Sequence, residues 1–330
     1  MLVTSWSIGL SVTSLLVLFI VLRSACTAVR VVKSWDPAAD TPEQIRLESE
    51  IPLSSTLMAF ALFLQIFSLL LLLLAADSFA PLLPGAMCAT GSFLANAYGM
   101  PSLIVKLFSV FLYGFWILIH RLDLRSPRYP LVRVKNIYLL LLCPLLLLDI
   151  LLQTLYLQGL HPDIITSCCG VIFTKPDVGI AGLSESMASY GTVAVFYSAC
   201  LLLFLVAWNQ KPIGKRVLVT GSVLLFPAGL WIVTTFISPY VYAMPHHRCP
   251  FCLLQIEYNF VGYPLFVLLY FASFAGMGSG LLSVFTKHID LQKTITVQQR
   301  RLRILFTLAL AGFVLLSLYF PLRYLLLGGE

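Results

Sequence analysis

Charge is scarce in this sequence. Asp, Glu, Lys and Arg make up only 11% of its 330 residues, against 59% apolar, and a globular surface in water demands more charge than that at any ordinary domain size. The shortage excludes a soluble domain. Acidic residues are scarcer than basic ones, 14 against 21, for a net charge of +7. Such an excess can mark a nucleic-acid binder, but here it is not gathered into one patch, and nucleic acid is not an expected partner. Also missing is any basic residue ahead of the first apolar run; Arg23 follows the run instead. That is the wrong order for a cleaved signal peptide, so the run is expected to stay as a membrane span. Arg23 also sits where a lipoprotein cleavage site before Cys26 would want a small or aliphatic residue.

What is present is a series of apolar runs, each long enough to cross about 30 Å of hydrocarbon. Eight are expected, at roughly 5–22, 53–76, 101–120, 136–158, 187–208, 217–238, 260–285 and 304–322. The fold class is therefore all-α, a polytopic bundle of helices in a lipid bilayer. Of the 21 Lys and Arg, 17 fall after spans one, three, five and seven, leaving Lys106, Lys175, Arg248 and Arg323 for the other side. The positive-inside rule then places both termini outside. Lys106 and Asp149 lie at comparable depth in spans three and four and are expected to pair, because isolated charges in lipid are costly. Gly276 and Gly280, spaced GxxxG, fit close packing between helices.

The eight cysteines sort by side. Cys26, Cys143 and Cys200 lie in or at the end of spans and read as small buried apolar residues. The other five occupy the outer loops: Cys88 in the first, Cys168 and Cys169 in the second, Cys249 and Cys252 in the third. Disulfides persist on that side of a membrane, so stapled loops are one reading. For the stretch HHRCPFCLLQIEYNF, residues 246–260, a bridge that closes so short a loop adds little stability. A redox pair fits better: Pro250 suits the first turn of a helix, and free N–H groups there favour a thiolate. Leu253, not histidine, follows the second cysteine, which disfavours a c-type haem. His161, His246 and His247 with the outer cysteines also form a possible N/S metal set. On a continuous helix Asn259 would lie two turns below Cys252, about 10 Å deeper and on nearly the same face. There it could hold a quinone carbonyl, or simply bond a neighbouring helix.

These residues resemble the vitamin K epoxide reductase family of membrane thiol oxidoreductases and, more loosely, the bacterial quinone-linked disulfide-forming proteins. CPFCLLQIEYN is similar to that family's CxxC helix, with Cys252 and Asn259 at its spacing. CCGVIFT is similar to its loop motif, through Cys168, Val171 and Thr174. The resemblance implies a four-helix redox core in spans four to seven, residues 136–285, between an N-terminal membrane segment, 1–135, and an inner loop and last span, 286–330. It implies that Cys249 exchanges with a loop cysteine, that Cys252 reacts with a quinone (ubiquinone or menaquinone), and that Asn259 and Thr174 serve the cofactor. An extracytoplasmic thiol protein such as a thioredoxin-like carrier would be the partner, in a bacterial inner membrane. The family's partner cysteine upstream of the loop motif is absent. Cys88 is the candidate replacement, since a bridge between the vicinal Cys168 and Cys169 would be strained. Ile256 stands where the disulfide-forming proteins often carry arginine. Two other readings are a metal- or haem-handling membrane protein and a structural subunit of a membrane complex.

Overall fold

The computed structural model describes residues 4–35, 41–126, 129–166, 181–209, 211–244, 247–287 and 291–327; of 181–189 and 287 only the backbone is described. No strand occurs among them. Seven helices are long and apolar enough to cross a membrane, and a shorter apolar helix, Tyr190–Val206, falls where the remaining expected span lies. Large apolar side chains such as Leu15 (74% exposed) and Phe19 (73%) cover the outer faces of the helices. Outward-facing hydrocarbon of that kind needs lipid as its solvent, so the protein is an integral membrane protein.

The chain forms two compact units, Met1–Ser167 and Cys168–Glu330. The first contains α1 (Ser5–Ser34), α2 (Pro42–Phe79), α3 (Ala89–Leu94), α4 (Gly99–Asp123) and α5 (Val132–Gln158). Its helices start on recognisable caps. Thr4 and Ser7 form a capping box, and the Thr41 hydroxyl accepts from the Gln44 N–H just ahead of Pro42, which satisfies N–H groups that a helix start leaves open. α1 packs on α2 and α5, and α4 packs on α2 and α5. Val17, Val21, Met58, Leu62, Trp116 and Leu142 are part of the apolar core between them. Several helices outrun the expected spans. At about 1.5 Å per residue the 30 residues of α1 exceed the hydrocarbon thickness. The apolar window ends near residue 22, but the helix continues through Arg30, whose guanidinium lies 2.7 Å from Glu50 on α2.

The second unit contains α6 (Ala181–Val206), α7 (Pro212–Ile232), α8 (Ser238–Tyr242), α9 (Gly262–Val284) and α10 (Gln292–Leu327). α9 packs on both α7 and α10. A π-turn, Val233–Ile237, joins α7 to α8. Pro239 explains it: a proline has no N–H to donate and its ring crowds the carbonyl four residues back, so the wider turn relieves both, with the Ser238 hydroxyl donating to the Val233 carbonyl at 2.7 Å. Gly276 and Gly280 face α7, where a Cβ would overlap Ser222 and Val219 respectively, as their GxxxG spacing suggests.

Within the first unit α5 packs against α1 and α4, and within the second α10 packs against α9. The Lys106–Asp149 pair, whose Nζ–Oδ1 separation is 3.0 Å with both groups fully buried, ties α4 to α5.

Because α9 approaches α7 at glycine, Gly276→Leu is expected to overpack the second unit by about 1–3 kcal/mol, lowering its melting temperature by roughly 2–10 °C. Thermal unfolding in detergent, with Gly191→Leu as a control at a position with open space around the Cβ, measures the difference.

Candidate functional site

The CPFC cysteines lie between α8 and α9, but not on a continuous helix. Cys252–Leu254 is a 3-10 turn, Gln255 is extended, Ile256–Tyr258 is a second 3-10 turn, and α9 begins only at Gly262. Pro264 sets this start. In a helix running unbroken from Pro250 it would be an interior proline, costing a hydrogen bond and clashing with the carbonyl of Phe260; with the start at Gly262 it falls in the first turn, where its missing N–H is no loss.

That break corrects the position expected for Asn259. It is exposed and left-handed, with φ 54° and ψ 31°, at the end of the second 3-10 turn. Phe260 follows with φ 55°, and Ala243, at the end of α8, has φ 54°. Asparagine tolerates this region; alanine and phenylalanine do so at a cost. The CPFC segment is thus bracketed by strained backbone, and Asn259 ends a turn just ahead of α9 rather than sitting two turns deeper beside a pocket.

Within the segment the two sulfurs are buried and close. Cys249 is 0% and Cys252 5% exposed, and their Sγ atoms lie within 4.8 Å of one another. Three features hold them. The hydroxyl of Tyr242, itself buried, donates a short hydrogen bond to the Cys249 carbonyl. The Gln255 N–H closes on the Cys252 carbonyl at 3.1 Å. Gly262 lies so close to the turn that a Cβ would stand 2.9 Å from the Leu253 Cβ. The ring of Tyr242 also packs edge-on against His247 and Tyr258, with centroids 4.6 and 4.4 Å away. Burial, followed by the charges of Cys252 and Glu257, pushes the Tyr258 phenol above its ordinary range, so it stays neutral beside the pair.

Sequence reasoning found Cys249 and Cys252 but missed Tyr242, Tyr258 and Gly262. The available signal was the GYP run at 262–264, which marks a helix start and the close approach just before it.

The remaining expected residues belong to the first unit, belong to other parts of the second, or lie outside the described residues. Cys88 is buried in the first unit as the N-cap of α3, its carbonyl accepting from the Gly91 N–H at 3.0 Å. Its loop is fixed by the Thr166 N–H donating to the Pro84 carbonyl at 3.0 Å and by Gly85, whose φ of 86° favours glycine. His161, exposed beyond α5, also belongs to the first unit. His247 is half-buried against Tyr242 in the second. Cys168, Cys169, Val171, Thr174 and His246 lie outside the described residues. Of the cysteines read as buried apolar residues, Cys200 is buried and Cys143 half-buried, but Cys26 is exposed on α1.

The arrangement supplies two thiols at the membrane end of a helix, close enough to form a disulfide on oxidation or to share a soft metal ion. The 3-10 turns around them are short, with strained i→i+3 bonds, and open more readily than the α-helices on either side. Tyr242→Phe leaves the Cys249 carbonyl buried without its donor, a loss of about 1–2 kcal/mol. Alkylation of Cys249 by maleimide, followed by peptide mass mapping, is expected to speed up by roughly five- to thirty-fold in this variant, with α9 and the membrane fold unchanged.

Compared with protein-family models, curated proteins and solved structures, the chain matches none of them.

Proposed function

We propose that the protein is a membrane thiol-disulfide oxidoreductase that passes electron pairs between thiols outside the cytoplasm and a lipid-soluble quinone. The observation that carries this reading is the buried Cys249–Cys252 pair, its sulfurs within 4.8 Å, set in 3-10 turns before a membrane helix. A structural staple does not need two cysteines so close in sequence, and a buried pair held by short turns suits a dithiol that opens to react. The basic residues after spans one, three, five and seven support an orientation with the cysteine-bearing loops and both termini on the outer side of a bacterial inner membrane.

The exchange balances with the residues of this chain and one partner. The Cys249 thiolate attacks a sulfur of a partner disulfide, forming a mixed disulfide and releasing one partner thiolate. Cys252 then attacks the Cys249 sulfur, leaving the Cys249–Cys252 disulfide and a fully reduced partner. Reversed, the same steps oxidise a partner dithiol. The partner is a loop cysteine pair of this chain, a thioredoxin-like carrier, or the two in series.

A quinone supplies the other end: it takes two electrons and two protons to become a quinol, matching one dithiol. The residue expected to hold its carbonyl does not fit that task, because Asn259 is exposed and ends a turn. The quinone is therefore proposed from electron balance and the membrane setting, without an assigned binding residue.

Two thiolates also make half of a tetrahedral zinc site, so a metal-handling protein is the competing reading. Cys252→Ser separates the two. Under oxidising conditions the redox reading expects a trapped mixed disulfide between Cys249 and a loop cysteine, Cys168 first and Cys169 or Cys88 next, seen by nonreducing peptide mapping. Cys249 found unbridged in the folded variant, together with a stoichiometric metal ion in the unmodified protein, would replace the redox reading with the metal one.

A further inference from the structure

In the first unit α1 and α2 lie side by side, and near one edge of the hydrocarbon they leave a pocket between them. The apolar run of α1 ends at Leu22 and that of α2 begins near Leu53. Arg23 and Leu53 both line the pocket, which places it where hydrocarbon gives way to lipid headgroups. Small side chains account for the space. Ser24 and Thr27 of α1 and Ser54 of α2 stand there, where the same two helices elsewhere meet through Val17, Val21, Met58 and Leu62. The pocket measures about 70 Å³. At about 10–15 Å³ for each water-sized group it takes roughly five, the size of one phosphate.

Its polar lining is made of donors that the protein has not used. A hydroxyl on a helix ordinarily donates to the carbonyl one turn back, as Ser11, Thr13 and Ser14 do in α1 and Thr56 does in α2. Ser24, Thr27 and Ser54 donate no hydrogen bond among the described residues, although Ser24 is only 2% exposed and Thr27 4%. Thr27 Oγ1 instead accepts from Arg30 at 3.5 Å. Arg23 belongs to none of the ion pairs among the described residues.

Glu50 also lines the pocket, but its carboxylate is answered twice, by Arg30 at 2.7 Å and by Arg46 at 2.9 Å. With Arg23, three guanidiniums stand against one carboxylate. The pocket therefore offers positive charge and open hydroxyl donors, which is the chemistry that receives a phosphate. On the membrane side its rim is apolar. Leu53 and Leu57 are exposed, and Phe19, one turn before Arg23, continues the same kind of surface along α1. A soluble anion gains nothing from that rim, whereas an acyl chain does.

We propose that the cleft between α1 and α2 binds an anionic phospholipid, with its phosphate on Arg23, Ser24, Thr27 and Ser54 and an acyl chain along Leu53, Leu57 and Phe19. The lipid lies in the leaflet on the side of the basic loops, where anionic headgroups and juxtamembrane arginines attract. A cleft that served packing alone would be filled by larger side chains and would leave no arginine and buried serine without partners. The site stands on the first unit and is independent of the Cys249–Cys252 reading.

The test uses the full chain in phosphatidylcholine liposomes containing a phosphatidylglycerol with a photoactivatable diazirine on one acyl chain, and locates crosslinked peptides by mass mapping. Crosslinks are expected on the stretch of α2 that holds Leu53 and Leu57, at least five-fold above those from phosphatidylcholine carrying the same diazirine. Arg23→Gln removes the charge and Ser54→Leu fills the space, and each is expected to lower the signal by about five-fold or more. Lys33→Gln, an equal loss of charge at the exposed end of α1, is expected to leave it unchanged, as is an excess of inorganic phosphate. The site is overturned if either folded pocket variant crosslinks as the unmodified protein does, or if Lys33→Gln loses as much, which would mean attraction to a basic surface only. Equal crosslinking by phosphatidylcholine would reduce the occupant to surrounding bilayer lipid, and displacement by inorganic phosphate would assign the pocket to a soluble anion; both contradict the proposal.

Discussion

Hydrocarbon forms no hydrogen bonds, and that constraint shapes the rest of this structure. Backbone groups satisfy it by forming helices. Side chains satisfy it pairwise, as in Lys106 with Asp149, Lys135 with Asp123 at 2.7 Å, and Gln153 with Ser14. Each of these bonds joins different helices or the two ends of a helix–helix connection, so the polar residues that lipid would reject become the connections that fix the first unit. In the second unit the same solvent leaves association to close packing, and Gly276 and Gly280 let α9 approach α7.

The two units thereby differ in character. The first is tied by charge and amide hydrogen bonds through its middle, with Lys106, Asp149, Gln65 and Gln153 all buried. The second joins its helices by close packing and by bonds between neutral groups, such as the Tyr197 hydroxyl to Ser317 at 3.0 Å, and carries its thiol pair at one end, where α8 gives way to the CPFC turns. There Tyr242 holds the Cys249 carbonyl, Gly262 admits Leu253 beneath the helix start, and strained residues at 243 and 260 bracket the segment. A dithiol in such a segment is protected while closed and reached by local opening, without disturbing the membrane helices.

Much of this architecture was legible in the sequence, because composition reports solvent directly. Apolar runs located the helices, the scarcity of intramembrane charge singled out Lys106 and Asp149 as partners, and GxxxG marked a close approach. The helix ends were less legible: α1 continues past its apolar window because a helix extends into water as readily as through lipid. At the site, CPFC announced a thiol pair, but helical periodicity was carried across residues where Pro264 forbids an unbroken helix, which misplaced Asn259. Tyr242 carries no motif; only the fold brings its hydroxyl to the Cys249 carbonyl.

The central claim is that Cys249 and Cys252 exchange electron pairs with a membrane quinone. The most direct measurement is the stoichiometry of quinone reduction by the fully reduced protein in liposomes, followed together with the state of its thiols by mass mapping. The account predicts one quinol per Cys249–Cys252 disulfide formed, with no quinol from Cys249→Ser. Quinone reduced at the same rate by the folded Cys249→Ser protein, or thiols that stay reduced while excess quinone is present, would contradict it.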